Sequence, residues 1–314
     1  MSTAPFPVDP VLTGIAIQYR NKALIADQVL PRITPELPRK TFKYNVWTKA
    51  EQFTVPKTEV GRRGRPSEIE FTASEQTGAV VDYALDDPIP YDDLQNAPEG
   101  HDPEAFAVQS IAGLIALDRE IRVAALIFAS GSYPAANATS LSGNDQWNAY
   151  DQAASDPIDD INIGLDTPLI RPNTMVIGRA AFTKLASHPK IIKAVQGNSG
   201  DAGIASRQQI AQLFELDQVL VGEGYKNSAK RGQTASYARI WGKACALLYL
   251  DTLAAGDGRL PSFGGTFQYG TRIAGATDDM NISSRGGRRV RVVESVKEVI
   301  TASDLGYFID TVVA

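Results

Sequence analysis

The sequence predicts an α+β fold built around one long helix. Three observations predict it. Residues 102–129, DPEAFAVQSIAGLIALDREIRVAALIFA, carry apolar residues at helical spacing between clear start and stop signals. Alternating stretches before and after it, such as TFKYNVW, EIEFTAS, AVVDYAL and RRVRVVESVKEVITAS, read as strands. Residues 157–255 have the shorter helix–strand texture of a compact mixed domain.

The helix is marked at both ends. Asp102 is a good N-cap, Pro103 suits the first helical position, and Glu104 favours the positive end of the helix dipole. Ser130-Gly131, with Pro134 beyond, marks the stop. About 27 residues at 1.5 Å each make a rod of roughly 40 Å. Ile111, Leu114, Leu117, Ile121, Ala124 and Phe128 fall near one face, the expected contact face. Asp118, Arg119, Glu120 and Arg122 form a charged belt halfway along, which excludes a membrane span.

The other elements follow in chain order. Residues 1–40 read as an arm: Pro5, Pro7, Pro10, Pro31, Pro35 and Pro38 break long elements, while LTGIAIQYRNKALIADQVLPRI is apolar enough to dock on its own subunit or a neighbour. Residues 41–90 read as an extended two-stranded excursion. TFKYNVW sets Phe42, Tyr44 and Val46 on one side, and the turn-rich VPKTEVGRRGRPSE holds Arg62, Arg63 and Arg65. A hairpin of this kind needs a body to lie on. Its acidic tail YALDDPIPYDD, with Asp86, Asp87, Asp92 and Asp93, leads into the helix. Residues 131–156 read as a polar surface loop, whose sequon Asn137-Ala138-Thr139 is a chance match. DPIDDINIGLD suggests a helix, NTMVIG a buried strand, and RAAFTKLASHPKIIKAVQG a helix interrupted near Pro189. ASRQQIAQLFEL follows as a helix capped by Ser206, and DQVLVGEGYKN and ASYARIWGKACALLYLD supply strands. The C-terminal segment is β-rich, with a second basic cluster at Arg285, Arg288, Arg289 and Arg291.

Composition narrows the function classes. With 43% hydrophobic and 21% charged residues the chain can bury a core. A net charge of -5, from 31 basic and 36 acidic side chains, argues against a protein whose main task is to grip nucleic acid. A single cysteine, Cys245, excludes a disulfide within the chain and reads as core. His101 and His188 with that cysteine do not make a typical zinc site. The opening MSTAPFPVDPV has no basic or apolar signal region, so a cytoplasmic product is expected.

No catalytic constellation is present: there is no G-x-x-x-x-G-K-[ST], G-x-S-x-G or H-E-x-x-H, and Gly222-Glu223-Gly224 is too short for a dinucleotide fingerprint. His188, just before Pro189, suits a surface or capping role. The pairs Asp86-Asp87, Asp92-Asp93, Asp159-Asp160 and Asp278-Asp279 point apart on regular elements and read as solvated or salt-bridged. No cofactor is expected. The two arginine clusters admit three readings: solvated turns, nucleic-acid contacts, or forks that meet acidic patches such as DYALDDPIPYDD on another copy. The third is preferred, because guanidinium geometry matches carboxylates and such pairs fix register between subunits.

The order of these segments resembles the HK97-fold major capsid proteins of tailed phages. LTGIAIQYRNKALIADQVLPRI is similar to the opening of one branch of that family. GRRGRPSEIEFTASEQTGAVVDYALDDPIPYDD is similar to its extended loop and return strand, and SDPIDDINIGLDTPLIRPNTMVIGRAAFTKLASHPKIIKAVQG to the start of its axial domain. The resemblance implies an N-terminal arm over 1–40, an extended hairpin loop over 41–90, a peripheral domain from 91–156 and 256–314 with residues 102–129 as its spine helix, and an axial domain over 157–255. It implies a subunit that self-assembles into an icosahedral shell of hexamers and pentamers around double-stranded DNA, bound without sequence specificity. A scaffolding protein, a portal and a decoration protein are the partners it suggests, and the virion the location. Lys49 and Lys57 lie in the extended loop, but no cross-link acceptor is assignable. Two competing classes are a cellular encapsulin-type compartment on the same fold, and an enzyme built on residues 157–255.

Overall fold

In the computed structural model, residues 6–18, 21, 23–47, 55, 58–60, 62, 64, 65, 68, 73–197, 203–230, 232–251 and 262–314 are described. Their body is two β-sheets bridged by the long helix, with two further two-stranded pairings beside it. The first sheet has four strands: β3 (Val81–Pro90), β10 (Gly264–Gln268), β11 (Ile273–Asp279) and β12 (Gly287–Ile300). The second has five, in the order β4 (Ala138–Ser140), β13 (Gly306–Asp310), β9 (Cys245–Leu248), β5 (Thr174–Gly178) and β6 (Gln218–Gly222).

The bridging helix α4 spans Pro103–Ile127, and the Asp102 side chain accepts hydrogen bonds from the backbone N–H of Glu104 (3.0 Å) and Ala105 (3.3 Å). Its start is where the sequence puts it. Its buried face is so only in part: Ile111 and Ala124 are buried as expected. Leu114 is 55% exposed, while the buried stripe runs through Val108, Ile111, Ile115, Arg119, Val123 and Ile127 and takes in Glu120. Arg119 and Glu120 of the charged belt face inward because polar groups of other segments meet them, while Asp118 stays exposed.

The two halves of α4 lie in different cores. Ala107, Val108, Ile111 and Ile115 pack with Val290 and Val292 of β12, Ala274 of β11, and Leu12 and Ala16 of α1 (Pro10–Gln18). Val123, Ala124 and Ile127 pack with Trp241, Phe263, Phe308 and one face of the five-stranded sheet, along with Val29 and Leu30 at the end of α2 (Ala26–Val29). The other face of that sheet carries helices α5 (Pro157–Asp166), α6 (Arg179–Ala186), α7 (Pro189–Gln196) and α8 (Arg207–Leu213). Strand alternation divides the two cores: Met175 and Ile177 of β5 point to one, Val176 to the other.

The arm docks on its own subunit. Asp9 N–H donates to Ala274 O (3.1 Å), and residues 31–33 run beside β10, with Thr266 N–H donating to Pro31 O (2.8 Å) and Ile33 N–H to Thr266 O (2.9 Å). The excursion forms from β1 (Thr41–Trp47) and β2 (Ala73–Ala79), paired antiparallel from Thr41 opposite Ala79 to Trp47 opposite Ala73. At its base Phe42 stacks on Phe267, 4.2 Å between ring centres, and Gly78 leaves room for that ring: a Cβ there would sit 2.6 Å from it.

The structure moves three expected boundaries. From Val81 on, AVVDYAL leaves the excursion: β3 pairs with β12 along its whole length, from Pro90 opposite Gly287 to Val81 opposite Val296. The C-terminal strand β13 does not return to the four-stranded sheet but lies inside the five-stranded one, between β4 and β9. Its residues Tyr307, Phe308 and Ile309 are all buried, as a strand covered on both faces requires. Residues 131–156 are more than a surface loop. They include β4 and the fully buried Trp147, whose backbone N–H donates to Val312 O (2.8 Å). Asn137 of the chance sequon is buried and donates to Gly306 O (3.0 Å).

Candidate functional site

Halfway along α4 the charged belt becomes a buried hub. Glu120 accepts from Ile25 N–H (3.0 Å), Ala26 N–H (2.7 Å) and the Trp241 indole (2.5 Å), so one carboxylate ties the arm and the Trp241 segment to the helix. Two of these donors are the free N–H groups at the start of α2. Burial pushes the Glu120 carboxyl above its usual range, against the pull of the three donors. Arg119 donates to Leu30 O (3.1 Å) and Thr266 Oγ1 (3.0 Å) and pairs with Asp27.

A second buried carboxylate, Glu294 of β12, pairs with Arg32 of the arm and with Arg272 (3.0 Å). Burial alone would raise its pKa, but the two guanidinium groups outweigh burial and hold it low. Arg122 reaches Glu298 of β12 (2.9 Å) and stacks over the Tyr83 ring of β3 at 3.6 Å. Arm, helix and sheet are therefore fixed to each other by charge-assisted bonds at one level of the molecule. Sequence reading singled out Arg119, Glu120 and Arg122 as a charged belt that excludes a membrane span, without partners for them. It missed Asp27, Arg32, Arg272, Glu294 and Glu298, because their partners are distant in the chain.

The second arginine cluster does meet carboxylates, but those of its own chain. Arg291 grips Asp86, its direct cross-strand neighbour, through both Nε (2.6 Å) and Nη2 (2.5 Å), and that fork holds the Asp86 carboxyl low. Arg289 binds Asp279 (2.7 Å), Arg288 binds Glu104 (2.5 Å), and Arg285 binds Asp92 (3.2 Å). The forks thus fix register between β12, β3, β11 and the start of α4. Within the single chain these arginines are thus already paired with carboxylates of their own subunit. Asp87 and Asp93 have no ion-pair partner among the described residues, and Asp93 is exposed. Arg62 and Arg65 are exposed and likewise unpaired among the described residues. Arg63, Lys49 and Lys57 lie outside them.

Residues 157–255 do not assemble a nucleophilic site among the described residues. Their depression of about 480 Å³ is lined by Asp156, Asp159, Asn162, Lys190 and Lys193 and holds the Asp156–Lys190 ion pair (2.8 Å). His188 is buried, not on the surface, and it does cap α7: Nδ1 accepts from Lys190 N–H (3.2 Å). The neutral ring then carries its proton on Nε2, 3.2 Å from Ser155 Oγ, and that hydroxyl donates to Gln146 O (2.8 Å). Every polar atom of this pair is committed to structure. Among the described residues no group of three or more His, Cys, Asp or Glu is placed to hold a metal ion.

What the molecule offers is therefore a two-sheet body with an anchored arm and a two-stranded excursion held at its base, and no assembled catalytic site among the described residues. The same fold occurs in the capsid of cyanophage P-SCSP1u (TM-score 0.58, 11% identity, covering 99% of this chain and 92% of that one). It also occurs in a phage-related protein of Bordetella bronchiseptica RB50 (TM-score 0.74, 22% identity, 97% of each chain). It is an HK97-like α+β capsid fold. Residues 103–251 match the family described as Phage major capsid protein E. The major capsid protein of Pseudomonas phage JBD67 is 46% identical over 315 residues, covering 100% of both chains. The chain belongs to the phage major capsid protein family.

Proposed function

We propose that this chain builds the head shell of a tailed phage, self-assembling into hexamers and pentamers of an icosahedral capsid around double-stranded DNA. The observation that carries this reading is the end-to-end relation to a phage major capsid protein, which also favours a virion shell over a cellular encapsulin-type compartment. The five-stranded unit acts as the axial domain at the centre of each ring, and its boundaries are 138–251 plus the C-terminal strand β13. The four-stranded sheet and α4 form the peripheral domain. The excursion of β1 and β2 is the extended loop lying over an adjacent subunit, with Arg62, Arg63 and Arg65 as its contact residues alongside Asp87 and Asp93.

The buried hub supports this role mechanically. It fixes the arm, the helix and both sheets as one body, so a force on the loop is transmitted to the whole subunit. The work is assembly, with no catalytic turnover. A scaffolding protein, a portal and a decoration protein are the expected partners, host cytoplasm the place of assembly. The net charge of -5 suits a wall that faces packed DNA without gripping it.

Negative-stain microscopy and sedimentation of the protein expressed with its phage neighbours test the reading. Shells, or rings of five and six, are the expected outcome. A uniform monomer under all those conditions would overturn it.

A further inference from the structure

One hairpin of the five-stranded unit lies in a basic, acid-free stretch. Residues 224–250 contain Lys226, Lys230, Arg231, Arg239 and Lys243 and no acid, within a chain of net charge -5. Strands β7 (Tyr225–Asn227) and β8 (Tyr237–Arg239) form a separate two-stranded ribbon there, closed by Asn227 Oδ1, which accepts from Ala229 N–H and Ser236 N–H (3.0 Å each). Tyr237 is 73% exposed and Tyr225 49%, and the Arg239 guanidinium lies 4.8 Å over the Tyr225 ring. Lys226, Lys230, Arg239 and Lys243 have no carboxylate partner among the described residues. An isolated ribbon that exposes aromatic surface and unpaired cations is a surface built for a partner.

The complementary surface is in the same chain. Residues 123–170 contain six aspartates and no Lys or Arg. Lys190 takes Asp156 and Arg171 takes Asp166, but Asp145, Asp151 and Asp159 are exposed without an ion pair among the described residues. Asp145 and Asp159 share one patch, since with Asp156 they add to burial in raising the Asp160 carboxyl, and Asp151 lies between them in the chain. Ile163 of α5, one turn beyond Asp159, is 49% exposed.

Topology places the two surfaces on opposite flanks of one end. β4, β13, β5 and β6 run in one direction with β9 against them. The acidic segment leaves the end of β4 at one edge, and the basic ribbon leaves the same end of β6 at the other edge. Four strand spacings separate them, roughly 19 Å. We propose that the Tyr225–Arg239 ribbon of one copy docks on the Asp145–Ile163 flank of the next copy, a head-to-tail contact that closes the ring. The tyrosines cover Ile163, and Lys226, Lys230 and Arg239 face Asp145, Asp151 and Asp159. A contact between different patches repeats around an axis, as a ring requires, and charge complementarity sets its register. Nucleic acid is the poorer occupant, because phosphate drawn to the ribbon would meet the acidic flank at the same end.

This inference rests on the shell reading, and its test separates the two. Three charge variants are compared with wild type under conditions where wild type forms shells: Lys226→Glu/Lys230→Glu/Arg239→Glu, Asp145→Lys/Asp151→Lys/Asp159→Lys, and all six changes in one chain. Circular dichroism and thermal unfolding confirm that each subunit is folded. Each triple variant is expected to lose at least tenfold in rings and shells by sedimentation and microscopy, and the sixfold exchange to recover most of that loss. Wild-type shell yield from the ribbon variant, or no recovery in the exchanged chain, overturns the docking. Shells at full yield that hold less nuclease-protected DNA would assign the ribbon to DNA instead. A wild-type protein that forms no shells defeats the shell reading itself.

Discussion

Glu120 accepts three N–H donors with two oxygens, Ile25 and Trp241 on one and Ala26 on the other, and this decides what its closest substitution does. In Glu120→Gln the amide NH₂ must face either Ala26 N–H or both other donors, so at least one buried donor loses its acceptor. The expected cost is about 3 kcal/mol, read as a lower denaturation midpoint. An unchanged midpoint would show that the hub adds nothing to stability. His188 gives the matching pH prediction. Burial, helped by Lys190, holds its folded pKa below 6.5. Its contribution is complete above that value and is lost as pH falls below it, because the unfolded chain takes up a proton that the folded ring excludes. Wild type is therefore expected to lose melting temperature between pH 7 and pH 5, and His188→Asn, which keeps a capping oxygen, to lose less. Equal slopes for the two proteins would remove His188 from the acid response. The chemistry of both residues was legible in the sequence, their burial was not. A charge four residues from an apolar side chain reads as solvent-facing unless its partners are known, and those of Glu120 lie about a hundred positions away in both directions.

At the scale of elements, what depends on neighbours in sequence was readable and what depends on distant pairing was not. Asp102, Ser206 and the Pro189 interruption all act where expected, because a cap binds N–H groups two or three residues on. The capping box of Ser206 with Gln209 is one such case, with both reciprocal bonds present. Asp102→Ala is accordingly expected to cost about 1 kcal/mol, a small loss measurable by thermal unfolding. A loss several times larger would mean that the start of α4 is held by more than its cap. Strand β13 shows the opposite case. GYFID is plainly a strand, but its sheet is chosen by β4 and β9, more than 50 residues earlier in the chain. The same holds for β3, whose acidic residues look solvent-facing until Arg291 of β12 is set directly opposite Asp86. The buried face of α4 was misplaced in part for this reason too, since Leu114 and Leu117 have the right spacing and only tertiary contacts select Val108 and Ile115 beside Ile111 instead.

At the scale of the molecule, the segment order was more informative than any single motif. Arm, excursion, long helix and mixed unit follow in the sequence as they do in the fold, and the end-to-end capsid relative has the same span. The excursion then sets the sharpest remaining test. Phe42 and Gly78 anchor its base on Phe267, whereas Arg62 and Arg65 stay exposed with no carboxylate of their own chain to hold them among the described residues. The other arginine cluster, satisfied within the chain, stabilises the subunit. Arg62 and Arg65 have no such partner among the described residues, and the proposed role is tested directly. Reversal in the variant Arg62→Glu/Arg63→Glu/Arg65→Glu should therefore leave thermal unfolding of the isolated subunit unchanged and abolish shells. Reversal at Arg291 should do the reverse in part: the fork to Asp86 is lost, so the subunit itself melts earlier. Shells formed at wild-type yield by the triple variant would remove these arginines from assembly. An equal drop in melting temperature in both variants would show that the two clusters do the same structural work.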